Sequence, residues 1–198
     1  MSTNQQGKQG DVQTSGKKQK AIIEKVPFPQ GVTAQADHGS LRIQGPKGTL
    51  ERAFRYPAVE IKVEGQEVVI QATKKPTMRE KKMVRTFQSH IKNMVLGVQT
   101  GYIYKLKICS GHFPMNVAVA NNEFVVKNFL GEKYPRKIGI RKGTEVKVEG
   151  DTVTVTALDK ELAGQMAANI ERLTNIQGRD RRIFQDGIYI ITKNEKVI

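Results

Sequence analysis

Phe28-Pro29-Gln30-Gly31-Val32-Thr33-Ala34 returns as Phe113-Pro114-Met115-Asn116-Val117-Ala118-Val119, 85 residues further along the chain. The same offset carries Glu60-Ile61-Lys62-Val63-Glu64-Gly65 onto Glu145-Val146-Lys147-Val148-Glu149-Gly150, and Ile103-Tyr104 onto Ile188-Tyr189. Self-similarity at a fixed spacing means that one structural unit has been used twice. Between these anchors Gly48-Thr49-Leu50-Glu51-Arg52 stands opposite Gly131-Glu132-Lys133-Tyr134-Pro135-Arg136, with the small length differences that loops tolerate. The 198 residues therefore divide into an extension, 1–20, a first domain, 21–101, and a second domain, 102–198.

Side-chain periodicity predicts the same elements in each copy. Leu41-Arg42-Ile43, Val59 to Val63 and Val68-Val69-Ile70 alternate or run apolar as half-buried strands do, with Gly65 at a turn. Thr77-Met78-Arg79-Glu80 has capping-box spacing, and Met83, Phe87, Ile91, Met94 and Val98 then recur on one helical face, as a core stripe does. In the second copy Val117 to Val119, Phe124 to Val126, Val146 to Val148 and Val153 to Val155 read as strands, with Gly150-Asp151 as a turn. A second helix starts near Asp159, presents Leu162, Met166, Ile170 and Leu173, and stops before Gly178. The predicted fold is α+β: two tandem copies of a small antiparallel sheet, each with one packed helix and one face left for water or a partner.

Composition narrows the function. The chain holds 33 Lys+Arg against 19 Asp+Glu, a net charge of +14, and is 38% hydrophobic, enough for ordinary cores. No apolar run is long enough to span a bilayer, and the polar stretch from Met1 to Lys20 lacks the apolar centre of a signal peptide, so a cytosolic or nuclear setting is expected. The excess charge is +3 over residues 1–25, +6 over 26–100 and +5 over 101–198, so the folded body itself should lie against a polyanion. The extension, Gln-, Gly-, Ser- and Lys-rich, buries too little surface to order itself.

Candidate catalytic and metal sites are weak. The single cysteine, Cys109, lies three residues before His112, but no orienting carboxylate is near in sequence. His38 and His90 lack metal-ligand spacing, and His90 sits on a helix where a packed role is ordinary. Gly45-Pro46-Lys47-Gly48-Thr49 lacks the spacing of a phosphate loop and lies between strands, which makes it a hairpin turn. The expectation is a protein with no catalytic residues, no metal and no cofactor.

Basic residues on loops carry the binding reading. Lys47 in the first copy, and Lys133, Arg136, Lys137, Arg141 and Lys142 in the second, fall in or beside Gly- and Pro-containing connections. Arg172, Arg179, Arg181 and Arg182 gather where the last helix ends, more cations than a helix terminus needs. The guanidinium fork suits phosphate. With 6% aromatic residues and no Trp, the composition disfavours a stacking reader of single strands and favours folded RNA recognised through its backbone.

Gly45 to Leu50, His112 to Val117, Asn128-Phe129-Leu130-Gly131-Glu132-Lys133-Tyr134 and Arg182-Ile183-Phe184-Gln185-Asp186-Gly187-Ile188-Tyr189 closely resemble the large-subunit ribosomal proteins numbered six in the universal series and nine in eukaryotes. The last two motifs are similar to the archaeal and eukaryotic form, and the resemblance runs from about Ala21 to Lys193. It implies the same two-copy fold and a structural, non-enzymatic role in the large subunit. It also implies binding to the large ribosomal RNA near the sarcin–ricin loop and the stalk base, where elongation factors dock beside neighbouring proteins. It further implies a cytoplasmic location, nucleolar during assembly if the cell is eukaryotic, with no membrane or DNA partner. By the same resemblance the RNA contact falls on Arg179, Arg181, Arg182 and Lys193, with Arg172, Lys133, Arg136 and Lys47 as further candidates. The rival reading is a transient assembly factor.

Overall fold

The computed structural model describes residues 22–37, 39–72, 77–194 and 196–197; the extension read over 1–20, and His38, lie outside the described residues. In the first domain β1 (Ile23–Pro27), β2 (Thr33–Asp37), β3 (Ser40–Gly45), β4 (Gly48–Ala53), β5 (Val59–Glu64) and β6 (Glu67–Ala72) precede α1 (Met78–Gln99). The second domain runs β7 (Tyr102–Cys109), β8 (Asn116–Ala120), β9 (Glu123–Lys127), β10 (Arg136–Gly139), β11 (Thr144–Glu149), β12 (Thr152–Ala157), α2 (Lys160–Leu173), β13 (Gly187–Lys193) and β14 (Lys196–Val197).

Each domain is α+β with one helix, and each divides its strands between two antiparallel sheets rather than one. The first has β1-β6-β5 and β2-β3-β4; the second has β10-β9-β8 and β11-β12-β7-β13-β14. The order β7-β12-β11 repeats β1-β6-β5, so the duplication read from sequence is a duplication of topology. The two helices are followed by β7 and β13, which share the Ile-Tyr repeat but have different fates. Strand β7 opens the second sheet, whereas β13 returns to pair antiparallel with β7, Ile188 opposite Ile108. Among the described residues no strand covers the matching edge of β1.

The turns follow their residues. Gly65 and Gly150 take positive φ, at 61° and 57°, where the β5–β6 and β11–β12 hairpins reverse. Asn121-Asn122 joins β8 to β9 with both φ values positive, the two-residue geometry that matches strand twist. Thr77 caps α1 as its spacing predicts: its hydroxyl accepts from Arg79 N at 3.2 Å, and Glu80 Oε2 accepts from Thr77 N at 2.8 Å. The buried stripe of α1 runs Val84, Phe87, Ile91, Met94, Val95 and Val98, with Met83 only half-buried at its margin. On α2 it runs Ala163, Met166, Ala167 and Ile170, while Leu162 and Leu173 flank it.

The two domains meet where the last turn of α1 presses on the entry to α2. Arg52 Nη1 on β4 reaches Glu161 Oε1 at 2.8 Å, and His90 Nδ1 on α1 reaches the same oxygen at 3.3 Å. The Arg52 hydrogen bond is the main reason the Glu161 carboxyl is held below its ordinary range; burial opposes it, and the charges of Arg52 and His90 reinforce it. At Gly97 the helix backbone approaches the Leu158 carbonyl so closely that a methyl group there would overlap the oxygen. An interior helical Gly→Ala change ordinarily gains about 1 kcal/mol. Here Gly97→Ala should instead destabilise by roughly 1–3 kcal/mol, the usual range for overpacking. Urea unfolding checks the sign, and a raised midpoint would show that the seam opens freely.

Candidate nucleic-acid interface

The end of the second domain is built by stitching α2 to β13. Thr174, buried at the C-terminus of α2, accepts a hydrogen bond from Ile188 N at 2.9 Å through its Oγ1, and Glu171 Oε1 accepts from Ile190 N at 3.3 Å. The twelve residues 175–186 between these stitches form an irregular excursion that carries Arg179, Arg181 and Arg182, all exposed.

One carboxylate fixes this excursion. Asp186 is 2% exposed, and its oxygens accept from Gly111 N, from His112 N at 3.0 Å and contact His112 Nδ1 at 2.5 Å. Burial, the largest single influence, pushes its carboxyl up; the hydrogen bonds from His112 N, the His112 ring and Gly111 N, together with the charge of His112, outweigh it. The net result is a carboxyl held below the ordinary Asp range. The His112 ring stacks on Phe184 with centroids 4.9 Å apart, and the Arg179 guanidinium lies 4.9 Å from the Phe184 centroid. The loop after β7 and the excursion before β13 are thus one body, although His112 and Asp186 are 74 residues apart.

Around that body most of the expected cations face outward. Arg172 is exposed on the last turn of α2. Arg181 Nη2 donates to Asn175 Oδ1 at 3.0 Å, and Arg182 Nη2 meets Asp180 Oδ2 at 2.8 Å while its side chain stays 89% exposed. Lys133 lies beside Tyr134, itself 79% exposed, in the loop between a single 3-10 turn (Phe129–Gly131) and β10. Arg141 and Lys142 occupy the β10–β11 turn, and Lys193 ends β13. Among the described residues Arg172, Lys133, Arg141, Lys142 and Lys193 make no ion pair. Lys137 lies within β10 rather than in a loop, 3.6 Å from Glu123 Oε2.

Two candidates also make several bonds within the fold. Arg136 Nη1 donates to the carbonyls of Leu173 at 2.7 Å and Asn175 at 3.2 Å, closing the C-terminal end of α2. Its Nε and Nη2 grip both Glu132 oxygens, and its guanidinium lies 4.3 Å from the buried Phe129 ring. With four of its five donors' positions engaged on three nitrogens, Arg136 clamps the end of α2 to the loop before β10. Lys47, at the tip of the β3–β4 turn, sends its ammonium to the Thr100 carbonyl, and its backbone N donates to Val98 O at 3.0 Å. It supplies the cation that the last turn of α1 lacks.

The carboxylate that sequence spacing did not supply to His112 is therefore present, as Asp186. It also holds two backbone N–H groups, which makes it an anchor for the loop. No group of three or more His, Cys, Asp or Glu among the described residues is placed to hold a metal, and no described helix is long and apolar enough to cross a membrane.

With this geometry in hand the relatives are informative. The family model for ribosomal protein L6 matches residues 28–101 and again 113–187. A large ribosomal subunit protein uL6 from Methanospirillum hungatei is 47% identical over 171 residues, covering 86% of this chain and 97% of that protein. Its namesakes from Methanococcus vannielii and Methanosarcina mazei are 44% and 45% identical, over 89% and 88% of this chain and 97% and 98% of their own lengths.

Replacing Asp186 by Asn should cost roughly 1–3 kcal/mol at pH 7, the penalty for leaving buried donors short of an acceptor. Because the folded carboxyl titrates below its unfolded value of about 3.9, its contribution is complete above that pH and fades as pH falls through the folded value. Urea titrations of parent and Asp186→Asn should therefore converge as the buffer is acidified from pH 7 to well below the unfolded value. A gap independent of pH would mean that the carboxylate charge is not what anchors the loop. In the same assay Arg136→Ala should lose about 2 kcal/mol through the helix end and the Phe129 contact.

Proposed function

Because the chain belongs to the ribosomal protein L6 family, it is a structural constituent of the large ribosomal subunit, and we propose that its second domain grips large-subunit RNA. The observation that carries this reading is the anchored excursion after α2, which holds Arg179, Arg181 and Arg182 exposed beside Arg172. Guanidinium groups on a fixed body fit the phosphates of a folded RNA at a set spacing, while a mobile basic tail would impose no spacing. Lys133, Arg141, Lys142, Lys137 and Lys193 extend the same positive field over the second domain.

The family resemblance supports a finer placement, against the RNA of the sarcin–ricin loop and the base of the stalk. There the protein would sit with neighbouring ribosomal proteins and close to docking elongation factors, in support of translation. The mechanism is scaffolding: cations neutralise RNA phosphates, and the seam between the domains holds two contact surfaces at a fixed separation. No bond is made or broken. The setting is the cytoplasmic ribosome, with a nucleolar stage during assembly only in a eukaryotic cell.

Affinity for a structured large-subunit RNA fragment should fall linearly with the logarithm of salt, with a slope of about −0.7 to −0.9 for each phosphate neutralised. Changing Arg179, Arg181 and Arg182 together to Ala should flatten that slope by roughly 2 and leave the circular dichroism spectrum unaltered. Salt-independent binding would contradict the reading. On a sucrose gradient the protein should follow the large subunit one to one through a high-salt wash; a substoichiometric, salt-labile signal would favour an assembly factor.

A further inference from the structure

The loop after β7 and the excursion before β13 enclose an open cavity of about 690 Å³, in the size range of small-ligand sites. Its walls differ in kind from the cationic surface around it. Ile183 is 64% exposed and Tyr189 40% exposed, and both line the cavity together with Arg181, His112, Gln185 and Ser110. We propose that this cavity receives a single unpaired nucleobase splayed out of the bound RNA, a proposal that rests on the RNA-binding reading above.

The chemistry of the walls selects that occupant. A base is flat, apolar on its faces and polar along its edges, and the cavity offers apolar surface together with polar groups that still have capacity. The Tyr189 ring is held ready: its hydroxyl donates to Gln185 O at 3.2 Å, and the bare Gly187 lets the ring lie against the backbone, since a Cβ there would stand 3.1 Å from it. The His112 ring has Nδ1 engaged by Asp186, which leaves Nε2 for a base edge. Gln185 donates its Nε2 to Arg182 O at 3.2 Å, which leaves Oε1 as an acceptor. The Asp186 charge is turned inward onto Gly111 and His112, so the acidic group in the wall does not repel a nucleotide. Arg181 lines the cavity, and Arg179 and Arg182 flank it in the chain, where they meet the phosphates on either side of an extruded base. A base still in its helix cannot enter, so the cavity reads an unpaired position rather than a sequence.

The test uses the full chain and two RNA hairpins with the same stem, one fully paired and one carrying a single bulged 2-aminopurine nucleotide. The bulged RNA should bind about tenfold more tightly, as one stacked base commands, and its 2-aminopurine emission should drop on binding. Ile183→Asp, at an exposed position that folding does not need, should bring the two affinities together; Tyr189→Ala should do the same. Equal affinities with unchanged emission would overturn the nucleobase site and leave the phosphate-binding reading standing. Failure of both hairpins to bind at low salt would overturn that reading as well.

Discussion

A loop that carries three arginines in four residues repels itself, and something must hold it in one shape if its charges are to meet phosphates at fixed positions. The buried Asp186 carboxylate does this. It binds the backbone of Gly111 and His112 and the His112 ring, so that the excursion after α2 is tied to the exit of β7. The desolvation of a carboxylate is costly without partners, and here three hydrogen bonds and a nearby imidazole offset it. Phe184 then stacks on the same imidazole and receives the Arg179 guanidinium, so the anchor passes from a charge to a ring to a cation. Without the anchor the arginines would still be attracted to RNA, but without preorganisation.

Duplication explains the rest of the architecture and also its asymmetry. Both copies bury one helix against the same arrangement of strands, and the second adds β13 beside β7. That added strand creates the site, because the excursion that precedes it must bridge from the end of α2 to the sheet edge. The first copy, whose chain leaves through Gly101 into β7, has no equivalent excursion. Its contribution is positional: Lys47 on Thr100, Arg52 on Glu161 and the bare backbone of Gly97 fix it against the second copy. The seam relies on a missing side chain as much as on contacts.

Much of this was legible in the sequence, for reasons that also mark where legibility ends. Repeats, alternation and the Thr77–Glu80 box are local or periodic signals, and they located both helices, the duplicated hairpins and the motifs of the family. The division of each domain into two sheets was not legible, because Thr33–Asp37 faces solvent on most of its residues and Gly48–Ala53 fully buries none of its own, so both carry little apolar signal. The Asp186–His112 contact was invisible for another reason: a pairing across 74 residues leaves no trace in spacing. Asp186 lay inside a recognised motif, and its position just before an apolar strand was the one available hint. The bonds that Arg136 and Lys47 make within the fold were not legible, because sequence shows where a cation is, not which acceptors surround it.

That last distinction bears on how readily each cation could turn to a phosphate. Arg136 has two helix-end carbonyls, a bidentate carboxylate and an aromatic face; moving it to a phosphate would strip acceptors from a half-buried site and leave the end of α2 open. Arg182 also pairs with a carboxylate at close range, yet its side chain is 89% exposed and its partner Asp180 lies in the same loop. Exposed pairs of this kind contribute little to stability, so an RNA phosphate that offered the same bidentate geometry would displace Asp180 readily. Arg181, held by one hydrogen bond to the Asn175 amide, would be released as readily. Two arginines of similar apparent pairing thus differ in how far they are held within the fold, and what separates them is burial of the arginine itself, 28% exposed at Arg136 against 89% at Arg182, rather than the length of the ion pair.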